Sequence, residues 1–157
     1  MTIRLIDTAL LDEVSAEAKA SPRGRKNRNF HPADSFPAHR LLNAIEPSSY
    51  VPPHRHLSPL KGETLVVVRG ALGFVVLDDA GEVVSTARLS AAGDAVGCDV
   101  PHGVFHTVVA LEPGTVFFEA KAGPYTPLGD GERAPWAPAE GEPGASAYLE
   151  RLRALFP

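Results

Sequence analysis

Two histidines and a glutamate lie close together in the sequence and are residue types that bind metal ions. His54 and His56 are two positions apart, in the segment P-P-H-R-H, so on an extended strand both imidazoles leave the same face. Glu63 opens the segment E-T-L-V-V-V-R, whose alternation places Glu63 on the same face as Leu65 and Val67. Because imidazole and carboxylate groups in one concavity suit a divalent transition metal, we expect a metal site here.

A fourth candidate ligand follows a predicted turn further along the chain. The segment P-H-G-V-F-H, residues 101–106, combines proline and glycine as sharp turns do. His106 then begins a β-prone run, T-V-V-A-L, from which its side chain could enter the same concavity. His102 lies in the turn itself, where we expect it to be exposed to solvent.

These segments resemble the paired metal-binding motifs of the cupin superfamily. The pattern is H-x-H…E-x6-G followed by P-x-G-x2-H, and the resemblance implies a jelly-roll β-barrel that binds one metal ion. It also implies that the ligands are His54, His56, Glu63 and His106, and that the ion is divalent zinc, manganese, iron or nickel. The spacing between His56 and Glu63 is longer than the cupin pattern has, so the loop L-S-P-L-K-G must bulge for Glu63 to reach the metal.

More of the chain looks like one family of cupin-fold metalloproteins, the WbuC family. The similarity rests on the segments A-K-A-S-P-R-G-R-K-N-R-N-F-H-P, L-N-A-I-E-P and A-L-E-P-G-T-V-F-F-E-A-K-A-G-P-Y. That family takes its name from a surface-polysaccharide gene cluster, so the resemblance implies a carbohydrate-related ligand. Cupins of this kind are commonly dimers, and the resemblance therefore also implies a homodimer.

Composition bounds the class of protein. The chain has 157 residues, of which 44% are hydrophobic, enough for one globular domain with a substantial core. A net charge of −4 speaks against nucleic acid as the main partner. The single cysteine, Cys98, excludes an internal disulfide framework. We find no signal-peptide pattern and no apolar run that could span a bilayer, so we expect a cytoplasmic protein that does not bind membranes.

The predicted architecture is an all-β cupin jelly-roll barrel with a short helix at each terminus. Within a single domain, residues 1–40 should form an N-terminal helix and a basic loop packed on the barrel. Residues 41–122 should form the barrel, and residues 123–157 a strap rich in proline and glycine followed by the C-terminal helix. Asp7 is placed to cap the first helix, whose apolar residues recur at helical spacing over residues 7–20.

The basic loop has two interpretations. Four basic residues fall within six positions: Arg23, Arg25, Lys26 and Arg28. Such runs are usually solvated surface. Alternatively, the guanidinium groups form a lid at the barrel mouth that binds a phosphate, a carboxylate or a sugar acid.

Glu119 is the candidate catalytic residue. In the strand T-V-F-F-E-A-K, Glu119 shares one face with Phe117 and Lys121. If that face lines the cavity, Glu119 can act as an acid or base beside the metal; if it faces outward, Glu119 merely pairs with a surface lysine. Asn43, on an otherwise apolar face of an earlier strand, is either a hydrogen-bonded core amide or a group that orients a metal ligand.

The function remains open between three classes. A site of three histidines and one carboxylate leaves coordination positions for water or substrate. We favour metal-assisted isomerisation or epimerisation of a small polar or anionic metabolite, with a sugar derivative preferred. The alternatives are an Fe(II)-dependent dioxygenase and a non-catalytic module that uses the metal to bind or sense a small ligand.

Overall fold

The computed structural model describes residues 2–157, which fold into two α-helices and eight β-strands. The helices are α1 (Thr8–Ala20) and α2 (Ala145–Arg153). The strands are β1 (Arg25–Asn29), β2 (Ala38–Ile45), β3 (Glu63–Arg69), β4 (Ala71–Leu77), β5 (Val83–Ser90), β6 (Gly97–Val100), β7 (Phe105–Ala110) and β8 (Thr115–Ala122).

The strands form two antiparallel sheets that share one core. The larger sheet has the order β1-β2-β8-β3-β6 and the smaller one the order β5-β4-β7. Alternate residues of β3, such as Leu65 and Val67, pack against Leu72 and Phe74 of β4 in the opposite sheet. This arrangement of two facing sheets confirms the predicted all-β jelly-roll barrel.

Helix α1 packs on the outer face of the larger sheet, as the sequence predicts. The Asp7 side chain accepts a hydrogen bond from the Leu10 backbone N–H at 3.0 Å and so caps the helix. Val14 and Ala18 are fully buried and contribute to a cluster with strands β2 and β8. The apolar stripe of the helix therefore covers part of the sheet that would otherwise face water.

The prediction that the basic segment is a loop is wrong, because Arg25–Asn29 forms the strand β1. This strand pairs antiparallel with β2, so that Arg25 lies opposite Ile45 and Asn27 lies opposite Asn43. This polar segment has low strand propensity, and it forms a strand because its backbone makes a complete ladder of hydrogen bonds with β2. The alternation directs Arg25 and Asn27 inward, and Arg28 outward to Glu13 and Glu17 of α1.

The strap between β8 and α2 has no helix or strand and crosses the outside of the smaller sheet. Trp136 packs edge-on against Phe105, with ring centroids 5.8 Å apart. In α2, Leu149 and Leu152 are buried in the same apolar cluster. No helix within residues 2–157 is both long and apolar enough to cross a membrane. The division of the chain into three parts stays a prediction.

Candidate metal centre

The inner surface of the barrel brings three of the predicted ligands together. Glu63 opens β3 and is buried, and His106 is the second residue of β7 in the opposite sheet. The backbone of His54 pairs with that of His106 through two N–H to carbonyl hydrogen bonds of 3.0 and 2.9 Å. One nitrogen or oxygen atom from each of His54, Glu63 and His106 lies within 4.8 Å of the other two.

His54 and His56 reach this site without a regular strand. The segment around them lies outside the eight strands, so the expectation of an H-x-H pair on an extended strand is wrong. His56 is fixed by its own carbonyl, which accepts a hydrogen bond of 2.7 Å from the backbone N–H of Gly103 in the predicted turn. Gly103 has a φ of +82°, a conformation that favours glycine, so the turn and the histidine segment are positioned together.

The long loop between His56 and Glu63 does bulge, and the structure shows how it is held. The backbone N–H of Lys61 closes a turn by donating to the Ser58 carbonyl at 2.9 Å. The Lys61 ammonium group donates to the Pro124 carbonyl and the Thr126 hydroxyl, each at 2.9 Å. The extra residues therefore lie against the strap, and Glu63 still points into the barrel.

The imidazole rings of His54 and His106 are oriented by backbone carbonyls. Nδ1 of His54 lies 3.0 Å from the Pro52 carbonyl, and Nδ1 of His106 lies 2.9 Å from the Val104 carbonyl. An Nδ1–H that donates to a carbonyl leaves the Nε2 lone pair available, which is how histidine ligands are usually held. In each ring the available nitrogen is therefore Nε2.

The donor set fits a cation. Nε2 of His106 lies 2.6 Å from Oε1 of Glu63, and Nε2 of His56 lies 3.7 Å from Oε2 of the same carboxylate. Nε2 of His56 is also buried without a hydrogen-bond partner. A nitrogen lone pair that faces a carboxylate oxygen is unfavourable unless a proton or a metal ion lies with them. Three imidazole nitrogens around one carboxylate are the set that first-row divalent metals prefer.

The electrostatics keep the ligands in their metal-binding forms. Burial alone would raise the pKa of Glu63, but contacts with His106 and His56 and the charge of Lys121 hold that pKa well below its ordinary value. Burial, together with repulsion from His106, lowers the pKa of His54 to about 4. At neutral pH Glu63 is therefore ionised and His54 is uncharged, as metal ligation requires.

A second polar group lies on the adjacent wall of the same cavity. Glu119 is buried on β8 and accepts a hydrogen bond from the Asn43 amide at 2.9 Å. Its other oxygen lies 2.5 Å from the Lys121 ammonium group, which is also 3.8 Å from Glu63. Burial disfavours the charge on Lys121, but Glu119 and Glu63 more than offset this and raise its pKa above the ordinary lysine value.

Of the two alternatives for Glu119, the structure has the one in which it faces the cavity, and the lysine with which it pairs lines the same cavity. Asn43 contacts this carboxylate and has no hydrogen bond to a predicted metal ligand among the described residues. The cavity has a volume of about 520 Å³, enough for a small metabolite. Arg23, Arg25 and Asn27 also line it. Arg25 lies opposite Ile45, which pairs with Thr115 at the start of β8. Glu63 instead pairs with Lys121 near the end of that strand, so Arg25 and Glu63 lie toward different ends of the sheet.

Sequence reasoning missed the roles of two residues, Lys121 in this cavity and Glu140 beside it. Lys121 was noted only as a partner of Glu119, although the alternation that directs Glu119 inward directs Lys121 inward as well. Glu140 binds Arg23 and Arg25 at the mouth, but it comes from the strap, more than a hundred residues away in sequence. No local pattern indicates such a contact.

Comparison with known families identifies the group to which the chain belongs. The family described as a domain of unknown function, DUF6016, matches residues 6–89, more than half of the 157 residues. The chain belongs to this family. The matched region includes β1, the H-x-H segment and Glu63, and ends before His106. No curated protein has a significantly similar sequence.

Solved structures show which fold the family has. KdgF from Halomonas sp. is 19% identical with a TM-score of 0.50, covering 65% of this chain and 82% of KdgF. The capsular polysaccharide assembling protein CapF from Staphylococcus aureus is 18% identical with a TM-score of 0.52, covering 65% of this chain and 27% of CapF. The protein SO0799 from Shewanella oneidensis is 18% identical with a TM-score of 0.51, covering 68% of this chain and 72% of SO0799.

These similarities establish the cupin fold for the chain. KdgF and CapF are cupin-fold proteins, so the comparison confirms the predicted cupin fold. The chain spans about a quarter of the length of CapF. At these identities the comparison supports the fold, and the chemistry has to be argued from the residues of this cavity.

Proposed function

We propose that the protein binds one divalent transition metal ion through His54, His56, Glu63 and His106. The observation that carries this proposal is the convergence of donor atoms from His54, Glu63 and His106 within 4.8 Å inside the barrel. The unpartnered Nε2 of His56 supports a fourth ligand. When bound, such an ion would polarise a carbonyl or hydroxyl oxygen of a substrate as a Lewis acid.

The chemistry we propose is isomerisation or epimerisation of a small polar or anionic metabolite, with a sugar derivative favoured. Both reactions require a group that removes a proton from carbon and returns it. Glu119 lies in the same cavity as the metal ligands and is held by Asn43 and Lys121, so it has a fixed position from which to accept a proton. Lys121 supplies a positive charge beside it that would bind a substrate oxygen.

The sugar preference rests on the resemblance to the WbuC family, which we retain as a proposal. The cupin-fold neighbour CapF is a capsular polysaccharide assembling protein, in agreement with a carbohydrate-related ligand. The homodimeric state and the cytoplasmic location also remain proposals. Light scattering of the purified protein tests the first, and a stable monomer at micromolar concentration would refute it.

Proton exchange tests the proposed chemistry. The metal-loaded protein is incubated in D₂O with a set of uronic acids, ketoses and sugar nucleotides, and deuterium at the carbon next to the carbonyl is measured by NMR. We expect incorporation with the wild type and a loss of at least about a hundredfold with Glu119→Gln, because an amide cannot accept the proton. The control is Glu112→Gln, which changes a surface glutamate paired with Arg88 outside the cavity.

The same experiment distinguishes the other two classes. If dissolved O₂ is consumed in the presence of iron, our proposal is refuted and the dioxygenase is supported. Substrate binding with neither deuterium incorporation nor O₂ consumption would replace it with the non-catalytic binding module.

A further inference from the structure

We propose that Arg23 and Arg25 form an anion-binding site at the cavity mouth, and that Glu140 of the chain's own strap occupies this site as an internal competitor. The ligand would be a small organic anion whose carboxylate or phosphate group displaces the Glu140 carboxylate. This inference rests on the proposed function and deepens it, since it names the charged group that the ligand carries at the end away from the metal.

The Glu140 carboxylate is bound as an anionic ligand would be. Arg23 donates to both of its oxygens, from Nε and from one terminal nitrogen, each at 2.7 Å. Arg25 donates to one of the same oxygens, also at 2.7 Å. One carboxylate thus contacts two guanidinium groups, one of which is bidentate. This geometry also suits phosphate.

Arg25 is fixed by the barrel independently of Glu140. It lies on the inner face of β1, opposite Ile45, and its other terminal nitrogen donates to the Ser49 hydroxyl and the Tyr50 carbonyl, both at 3.1 Å. Its side chain is only 17% exposed. The guanidinium group would therefore keep its position when Glu140 leaves, as a preformed binding site requires.

The site connects the main cavity with a second one under the strap. Arg23, Arg25 and His54 line both the main cavity and a neighbouring cavity of about 510 Å³. The second cavity is closed on the outer side by the strap, including Pro138 and Glu140. A ligand anion at the arginines would thus lie in the same continuous space as the metal ligands.

Displacement of Glu140 is feasible because the strap is attached elsewhere. The Tyr50 hydroxyl donates to the Pro138 carbonyl at 2.8 Å, and the Ala134 N–H donates to the Pro53 carbonyl at 3.2 Å. Glu140 itself is one-third exposed, so water or a solute can reach its carboxylate. Ion pairs with this exposure contribute little to stability, so a ligand anion can replace them.

Arg28 provides an internal comparison for this argument. It also binds two carboxylates, those of Glu13 and Glu17, at 2.9 and 2.6 Å. Those contacts lie on the outer face of the sheet, against α1, and Arg28 does not line the main cavity. The ion pairs of Arg28 attach α1 to the sheet and do not reach the cavity, so they serve as a matched control on the same strand.

The experiment measures binding of inorganic phosphate and of glucuronate to the full-length protein by calorimetry. With Glu140→Gln we expect both anions to bind about tenfold more tightly, because the internal competitor is removed while the arginines remain. Arg23→Ala, at a side chain that is 61% exposed and can be changed without disturbing the core, should weaken both. Glu17→Gln makes the same change in net charge on the outer face and should leave both affinities unchanged.

Two results would overturn the inference. One is an affinity in Glu140→Gln that is equal to or weaker than that of the wild type. The other is an increase in Glu17→Gln as large as in Glu140→Gln, which would show a general charge effect. Metal titration of the same variants separates this inference from the proposed function. If metal binding is intact but Glu140→Gln does not bind the anions more tightly, only the inference is refuted. If no metal binds, only the metal centre is refuted.

Discussion

Two carboxylates, one in each of the two neighbouring cavities, have surroundings that differ in a way that favours ligands of opposite charge. Glu63 is buried between three imidazole rings, with the Lys121 ammonium group 3.8 Å away. Glu140 lies at the mouth between two guanidinium groups and is one-third exposed. Both have a lowered pKa, which for Glu140 reaches about 2 because Arg23 and then Arg25 donate hydrogen bonds to it.

The two clusters differ in the charge of the groups that surround the carboxylate. Imidazoles are neutral donors that need a cation to share with the carboxylate, so the Glu63 cluster is suited to a metal ion. Guanidinium groups are permanent cations that need an anion, so the Glu140 cluster is already complete and any other anion must compete for it. This difference is the basis on which we propose a cation site at Glu63 and an anion site at Arg23 and Arg25.

The largest effect should come from removal of an imidazole at the cation site. With His106→Ala we expect metal affinity to fall by at least about a hundredfold, since the histidine supplies one of the converging nitrogens. The control is His102→Ala, four residues earlier in an exposed turn, which should bind metal as the wild type does. Calorimetric titration with Zn²⁺ and Mn²⁺ measures both, and equal affinity in the two variants would contradict the assignment.

Exchange of each carboxylate for an amide compares the two sites directly. Glu63→Gln should lower metal affinity by about ten- to a hundredfold, because a neutral amide replaces an anionic ligand with little change in volume. Glu140→Gln is the matched control and should leave metal affinity unchanged. Circular dichroism confirms that both variants are folded. If the two variants lost affinity to the same extent, the separation into a cation site and an anion site would be wrong.

The smallest effect is the pH dependence of the Glu140 contacts. Because the pKa of Glu140 is about 2 in the folded protein and 4.5 as its ordinary value, its ion pairs stabilise the fold above about pH 4.5 and are lost as the pH falls toward 2. Between pH 5 and 7 the wild type should melt at most about 4 °C above Glu140→Gln, and this difference should shrink below pH 4.5. A difference that stays constant down to pH 3 would contradict the ion-pair assignment.

Much of the fold could be predicted from the sequence because local signals agree with it. The Asp7 cap and the apolar spacing predicted α1. The turn at residues 78–81, where Gly81 has a φ of +88°, is likewise typical of a hairpin such as that of β4 and β5. The alternation in β3 grouped Glu63 with Leu65 and Val67, which face the core, whereas the alternation in β8 grouped Glu119 with Phe117 and Lys121 and left open which side that face takes. In these segments the periodicity, the turn residues and the burial all indicate the same structure.

The rest depends on contacts between distant segments, which carry no local signal. Strand β1 has a polar sequence and forms because β2 pairs with it. The H-x-H segment is not a regular strand, since the proline-rich chain around it makes only isolated bridges, from His54 to His106 and to Arg133. Glu140 reaches the arginines from the strap, more than a hundred residues further along the chain. Three of the residues that the motifs single out, His54, Glu63 and His106, do converge, whereas no local pattern in the sequence indicates the contact of Glu140 with the arginines.

Elemental analysis of the protein purified without an affinity tag tests the central claim most directly. The account predicts about one divalent transition metal ion per chain in the wild type after dialysis, and a large reduction in both His106→Ala and Glu63→Gln. Iron would favour oxygen chemistry, whereas manganese, zinc or nickel would agree with isomerisation. A wild type that retains no metal and binds none when it is titrated, or a His106→Ala variant with the full wild-type content, would contradict the metal centre.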